Sequence, residues 1–147
     1  MSHQLEADFD FFGEGPLPVH TPQAAAAILV SLATQHDFTF YKYQIPDLVS
    51  HTGRIELARE VFETIEVFVE ALLRSIDPAN TVVVITSDHG HLEQVASSHA
   101  HPKSKVPTWY FGPDPERTAN RLRRPEEIFR LLAPMGQTTS AGLPAMA

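Results

Sequence analysis

The stretch that decides the fold runs from Thr81 to His91 and reads Thr-Val-Val-Val-Ile-Thr-Ser-Asp-His-Gly-His. Its run of β-favouring apolar residues, Val82–Ile85, predicts a buried strand, and Gly90 predicts that the backbone turns away soon afterwards. Asp88 and His89 follow the strand, and carboxylate and imidazole are both good metal ligands. Because ligands of open α/β sheets bind at the carboxyl ends of strands, this stretch predicts an α/β fold and a metal site together.

Composition narrows the functional classes. The chain has 147 residues, enough for one domain, and 43% of them are hydrophobic. The formal net charge is −7, which argues against a nucleic-acid or anionic-membrane surface because no basic stripe is available to neutralise phosphates. The absence of cysteine excludes disulfides, cysteine-ligated zinc and thiol nucleophiles. No apolar run is long enough to span a membrane and no signal peptide is evident, so we expect a cytoplasmic protein.

Helical and strand patterns alternate along the sequence. The predicted elements are a helix from Thr21-Pro22 to about Gln35, a strand over 38–45, a long helix over 55–76, strands over 81–85 and 106–111, and a helix over 125–132. This alternation predicts a mostly parallel sheet with helices on both faces. About three core strands make a small sheet for that architecture, so we expect an incomplete version of a larger fold.

The predicted domain boundaries follow from the ends of this pattern. Residues 1–20 form an irregular N-terminal extension, because glycine and proline at 13–18 prevent a long regular element. Residues 21–136 form the α/β domain, and residues 137–147 form a disordered tail.

Further candidate ligands lie outside the Thr81–His91 stretch. Asp47 and His51 follow the strand predicted over 38–45, so two strands would each deliver an aspartate to the same edge of the sheet. His99 and His101 lie in the loop before the third predicted strand. A third strand parallel to the others would begin at the opposite edge of the sheet. These histidines therefore reach the site only if the loop stays near the metal-bearing edge before it enters the strand. For each of these sets of candidate ligands, and for Asp88 and His89, the alternative to metal binding is a polar turn or loop with solvated side chains.

Other potential catalytic groups are weaker. His91 and Glu93 have no independent support as ligands, and no serine or threonine has a motif or a neighbouring base that would make it a nucleophile. The chain also lacks the glycine patterns of nucleotide-binding loops. Metal binding therefore remains the chemistry that the residues favour.

Three motifs together carry a family resemblance. They are Pro46-Asp-Leu-Val-Ser-His-Thr-Gly53, Thr86-Ser-Asp-His-Gly90 and His101-Pro-Lys-Ser-Lys-Val-Pro107. In this order and spacing they resemble the metal-binding half of the alkaline phosphatase superfamily, in its cofactor-independent phosphoglycerate mutase branch. The resemblance covers roughly residues 38–113 and implies an alkaline phosphatase-like fold.

The resemblance also implies a ligand set of two divalent metal ions, Mn or Zn. Asp47, His51 and His101 would hold one ion, with His99 as the competitor of His101, and Asp88 and His89 would hold the other more weakly. Full-length relatives carry a further metal-binding aspartate and a serine or threonine nucleophile in an N-terminal half. No such motif precedes the strand predicted over 38–45, so we expect the chain to represent only the C-terminal part and assign no catalytic residue to it.

Three functional hypotheses follow. The first is a phosphatase- or phosphomutase-like domain acting on a small phosphate ester, completed by an N-terminal half or paired as a homodimer through an exposed sheet edge. The second is a non-catalytic metal-binding or assembly domain. The third is a mononuclear iron oxygenase with two histidines and a carboxylate. It is disfavoured because that class usually has antiparallel β architecture, whereas helices and strands alternate in this sequence.

Overall fold

The computed structural model describes residues 19–90, 105–113 and 124–132. These ranges contain the helices α1 (Pro22–Ala33), α2 (Ile45–Thr52), α3 (Ile55–Ser75) and α4 (Pro125–Leu132), and the strands β1 (Val83–Thr86) and β2 (Thr108–Phe111). The domain is therefore of mixed α/β character, as predicted. Apart from Val19 and His20, the predicted N-terminal extension and the predicted tail lie outside the described residues.

Helices α1 and α3 form where the sequence predicts them. The Thr21 side chain caps α1 by accepting a hydrogen bond of 3.2 Å from the backbone N–H of Ala24, and Pro22 occupies the first turn, where its missing N–H costs nothing. Helix α3 begins at Ile55 as expected and ends at Ser75, one residue before the predicted boundary. Within the described ranges, no helix has the length and apolar character needed to cross a membrane.

Helix α2 was not predicted, and the strand predicted over 38–45 is wrong. Residues 38–44 have no regular structure, and Ile45 already belongs to α2. Pro46 lies in the first turn of this helix, and Gly53 ends it in the left-handed conformation with φ 67°. The segment 38–44 is rich in aromatic residues, but a strand also needs a hydrogen-bonded neighbour, and no described segment pairs with it.

One cluster of buried residues lies where α2 meets α3. Helix α1 also packs on α3, and Ala26 of α1 and Leu72 of α3 are buried as well. Val49 of α2 and Val61 of α3 are 3% and 4% exposed, and together with Ala58 they form one buried cluster. Ile45, Leu57 and Ile65 pack around this cluster. Because apolar burial is the main favourable term in folding, this cluster fixes the position of α2 on the long helix.

The described sheet has two strands, and they pair antiparallel. The mostly parallel sheet of about three core strands that the alternation predicts is therefore not the arrangement of the described residues. An antiparallel pair can be joined without the crossover helix that a parallel pair requires, so the alternation of elements does not by itself dictate parallel pairing. The main packing in the described ranges joins helices to helices and strands to each other, so the prediction of helices on both faces of the sheet is not confirmed.

Gly112 follows β2 in a backbone conformation that only glycine adopts readily. Its φ is 149°, and a Cβ atom added there would lie 3.0 Å from Val82 Cγ2 and 3.3 Å from the Thr81 carbonyl oxygen. Both the conformation and the close approach to the segment that enters β1 therefore require glycine. Tyr110 strengthens the same turn by donating its hydroxyl to the Pro113 carbonyl at 2.8 Å.

We expect the substitution Gly112→Ala to lower the free energy of unfolding by about 1–3 kcal/mol, the usual cost of a strained backbone position. Chemical denaturation followed by circular dichroism measures this change. The matched control is Gly53→Asn, because asparagine tolerates the left-handed conformation that Gly53 adopts at the end of α2. A Gly112→Ala variant as stable as the parent chain would contradict the structural requirement for glycine.

Candidate metal centre

Asp47 and His51 lie on one face of α2. Their spacing of four residues places them one helical turn apart, and His51 Nε2 is 3.8 Å from Asp47 Oδ2. Both side chains are about two-fifths exposed, at 43% and 42%, whereas Val49 and Ser50 between them are buried. The buried residues hold the helix on α3, so that an acidic and an imidazole donor are left accessible side by side.

Asp88 and His89 form a second pair immediately after β1. His89 Nε2 is 3.7 Å from Asp88 Oδ1, and the Asp88 side chain is 70% exposed. The turn that carries them is held by local hydrogen bonds: the Ser87 hydroxyl donates to the His89 carbonyl at 2.6 Å, and His89 Nδ1 lies 3.3 Å from the Gly90 carbonyl oxygen. In the tautomer that donates from Nδ1 to this carbonyl, Nε2 is left as the metal-binding nitrogen.

The distances within each pair fit a divalent transition-metal ion. Zinc bonds to imidazole nitrogen and carboxylate oxygen are about 2.0–2.2 Å long, so one ion can bind both atoms when they are no more than about 4.2 Å apart. The pairs Asp47–His51 and Asp88–His89 both meet this limit. One carboxylate and one imidazole per pair is also the donor chemistry that suits manganese and zinc.

Each pair on its own supplies only two protein ligands. Within residues 19–90, 105–113 and 124–132, no three histidine, aspartate or glutamate side chains come together as a group that could hold an ion. His101, the third ligand predicted for the Asp47–His51 ion, lies outside these ranges, as do His91, Glu93 and His99. The convergence of all five predicted ligands therefore remains a prediction.

The antiparallel pairing of β1 and β2 bears on how His101 reaches the site. Thr86, at the end of β1, is the partner of Thr108, at the start of β2. The described residues 105–107 therefore enter β2 at the end of β1 that carries Asp88 and His89, and the seven residues of chain from His101 to Thr108 span at most about 25 Å. The parallel arrangement expected from the sequence placed this entry at the opposite edge, whereas the observed pairing places it at the same edge as Asp88 and His89; the role of His101 as a ligand stays a prediction.

Two structural features of this region are not among those predicted from the sequence. The helical geometry of Asp47 and His51 was not anticipated, although Pro46 near the start and Gly53 at the end are ordinary signals of a short helix. The hydroxyl groups of Thr86 and Thr108, which are 2.8 Å apart across the strand pair, were also missed. No local signal could have revealed that contact, because it depends on the register of the two strands.

Comparison with known proteins identifies the family of the chain. The family model described as the metalloenzyme superfamily matches residues 19–136, which include both ligand pairs and His101. The sequence is 33% identical over 94 residues to the 2,3-bisphosphoglycerate-independent phosphoglycerate mutase of Haloquadratum walsbyi, a match that covers 61% of this chain and 19% of the relative. No solved structure matches the chain significantly.

Two further relatives carry the same name. The mutase of Syntrophotalea carbinolica is 32% identical over 108 residues, covering 69% of this chain and 21% of the relative. That of a Ruegeria species is 28% identical over 122 residues, covering 78% and 24%. The chain thus spans about a fifth of the length of these curated relatives, and the resemblance to the phosphoglycerate mutase branch is confirmed. Because the family model covers most of the sequence, the chain belongs to the metalloenzyme superfamily.

Proposed function

We propose that the chain is the divalent-metal-binding domain of a phosphatase- or phosphomutase-like metalloenzyme that acts on phosphate esters. The observation that carries this proposal is the Asp47–His51 pair, with its two donor atoms 3.8 Å apart on the accessible face of α2, in a member of the metalloenzyme superfamily. The relatives' printed names indicate a phosphoglycerate as their substrate. For this chain we propose only the broader class, a small phosphate ester.

Two ions, Mn²⁺ or Zn²⁺, are proposed to bind. Asp47, His51 and His101 hold the first ion, and Asp88 and His89 hold the second, which binds more weakly because it has fewer protein ligands. Bound divalent ions supply charge neutralisation for the phosphate oxygens and lower the pKa of a coordinated water or hydroxyl group. That neutralisation matters for a chain whose formal net charge is −7, because an anionic substrate would otherwise be repelled.

The nucleophile is proposed to come from outside the residues matched here, from a complementing N-terminal half. The segment 38–44 supports such a partner, since it precedes Asp47 and exposes much of its aromatic surface. Phe38 and Phe40 are 63% and 77% exposed. Tyr41 stacks on Phe68 of α3 with the ring centres 5.4 Å apart, so one side of this segment is covered and the other is available to a partner strand.

The two tyrosines of this segment, Tyr41 and Tyr43, are partly buried. Burial raises the pKa of Tyr41, and burial together with the neighbouring Tyr41 raises the pKa of Tyr43. The two rings also stack on each other, with centres 6.4 Å apart. A β-favouring segment that is anchored on one side and lacks a strand neighbour among the described residues can accept an additional strand. A second copy of the chain, giving a homodimer, is the other partner that could provide it.

The alternative function is a non-catalytic domain that binds metal for assembly. It is compatible with the same ligand pairs, and the difference lies in whether a nucleophile is ever brought to the ions. A complementing polypeptide with a strand-borne aspartate and a serine or threonine nucleophile would favour the enzymatic role.

The proposed function is tested by metal content and phosphatase activity of the purified chain. We expect bound Mn²⁺ or Zn²⁺ by elemental analysis after loading and dialysis, and little or no hydrolysis of p-nitrophenyl phosphate, because the chain supplies no assigned nucleophile. A chain that retains no divalent ion would refute the metal-binding role. Stoichiometric, metal-dependent turnover by the chain alone would show that the site does not need a complementing half.

A further inference from the structure

We propose that the hydroxyl groups of Thr86 and Thr108 form a clasp that positions the metal-binding turn Ser87–Gly90 against the segment that enters β2. Thr86 and Thr108 are positioning residues in this proposal and do not touch the metal. The inference rests on the proposed metal-binding function, and it names the contact that determines how the two ligand-bearing segments are spaced.

The clasp lies at one end of the two-stranded sheet. Thr86 is the last residue of β1, Thr108 is the first residue of β2, and the two are direct partners across the strands. Their Oγ1 atoms are 2.8 Å apart, an ordinary length for a hydroxyl–hydroxyl hydrogen bond. The other contacts of Thr86 Oγ1, to the Pro107 and Ser87 carbonyl oxygens, are both 3.5 Å long, so the Thr108 hydroxyl is its strongest partner.

Threonine suits this role because its branched side chain has restricted rotation about χ1. A hydrogen bond between two such side chains therefore fixes the end of each strand, where a ladder would otherwise fray. The sheet has only two strands among the described residues, and an isolated pair of strands is marginally stable in water. The cross-strand contact consequently matters more here than it would in the middle of a large sheet.

The clasp and the turn are directly connected. Ser87 follows Thr86, and its hydroxyl donates to the His89 carbonyl at 2.6 Å, which fixes the backbone that carries Asp88 and His89. Thr86 thus ties the turn to the neighbouring strand, while Ser87 holds its internal shape. Because the Asp88 side chain is 70% exposed, packing contributes little to its position, and the backbone of the turn, held by these two hydroxyl contacts, determines where it lies.

Thr108 performs the same function for the other segment. Pro107 and Thr108 are the residues through which the chain from His101 enters β2. A contact between Thr86 and Thr108 therefore sets the separation between the Asp88–His89 turn and residues 105–107, which enter β2. Outer contacts that orient metal ligands typically contribute a factor of about 10–100 to metal affinity.

The experiment uses Co²⁺ as the probe in the full chain, because its visible absorption reports ligand geometry as well as occupancy. Thr86→Val removes the hydroxyl but keeps the branched shape, and we expect about tenfold weaker binding of the second Co²⁺ ion, the one assigned to Asp88 and His89, together with an altered absorption spectrum. Thr108→Val should give the same change. The double variant should be no weaker than either single variant, because partners in one hydrogen bond are not additive.

Two further variants separate positioning from general stability. Thr86→Ser keeps the hydroxyl, and its Co²⁺ absorption spectrum should match that of the parent chain. Thr64→Val is the matched control, since the Thr64 hydroxyl donates to the Glu60 carbonyl within α3, and it should leave Co²⁺ binding unchanged. Failure of the parent chain to bind Co²⁺ would refute the proposed function itself. Normal Co²⁺ binding by Thr86→Val, or additive losses in the double variant, would overturn the clasp alone.

Discussion

Replacing His51 with alanine is expected to lower the affinity of the chain for Mn²⁺ or Zn²⁺ by about a hundredfold or more. The His51 imidazole lies 3.8 Å from the Asp47 carboxylate on the accessible face of α2, so the substitution removes one of two adjacent donors. Loss of a contact that only orients a ligand already costs about 10–100-fold in affinity, and loss of a ligand itself should cost at least as much. Isothermal titration calorimetry on the metal-free chain measures the change.

The matched control for this substitution is His36→Ala. His36 is an exposed histidine in the irregular segment after α1, and it belongs to neither ligand pair. We expect its replacement to leave metal affinity unchanged, which separates the effect of one imidazole from the general effect of removing a histidine. Equal losses in the two variants, or no loss in His51→Ala, would contradict the assignment of α2 as the ligand-bearing helix.

Helices α1, α3 and α4 were predictable because their signals are local. Thr21 and the first-turn proline indicate the start of α1, and the structure shows the capping hydrogen bond from the Ala24 N–H to Thr21. Apolar residues at three- and four-residue spacing indicate that α3 is a helix that packs on its neighbours. The same local logic applies to α2, where Pro46 and Gly53 mark the two ends. That helix was missed because the aromatic run before it favours a strand, and strand propensity is easily overridden by context.

The sheet was less predictable because pairing is not local. The strands predicted over 81–85 and 106–111 lie within two residues of the observed bounds of β1 and β2. The residues of neither strand indicate in which direction its partner runs. The parallel prediction came from the usual alternation of helices and strands, whereas Val83 pairs with Phe111 and Thr86 with Thr108 in an antiparallel register. A segment such as 38–44 can likewise form a strand only when another segment completes its hydrogen bonds.

For the candidate site, the sequence supplies the candidate residues, and their role as metal ligands stays a prediction. Carboxylate and imidazole side chains near the ends of predicted strands make Asp47, His51, Asp88 and His89 candidates, and the structure places each pair with donor atoms less than 4 Å apart. Asp88 and His89 are neighbours in the sequence, and Asp47 and His51 are four residues apart on a helix. This spacing alone accounts for the short distance within each pair. The meeting of one pair with the other depends on tertiary packing, which residue type and spacing do not specify.

The substitution Val61→Asp is expected to unfold the helical part of the domain. Val61 is 4% exposed and packs in the cluster with Val49 and Ala58, where a carboxylate would be buried without a paired charge. Such a change belongs to the class that costs more than about 4 kcal/mol, a large share of the 5–15 kcal/mol that holds a typical domain together. Loss of helical circular dichroism at 25 °C measures the effect.

The neighbouring residue provides the control, because Phe62 is 53% exposed and Phe62→Asp places the same charge one position further along α3. We expect Phe62→Asp to remain folded and to bind Mn²⁺ or Zn²⁺ like the parent chain. Val61→Asp should lose metal affinity along with helicity, since Val61 helps hold α2, and with it Asp47 and His51, on α3. If Val61→Asp lost helicity but kept its metal affinity, the ligands would not depend on the position of α2, and the metal centre could not be built on that helix.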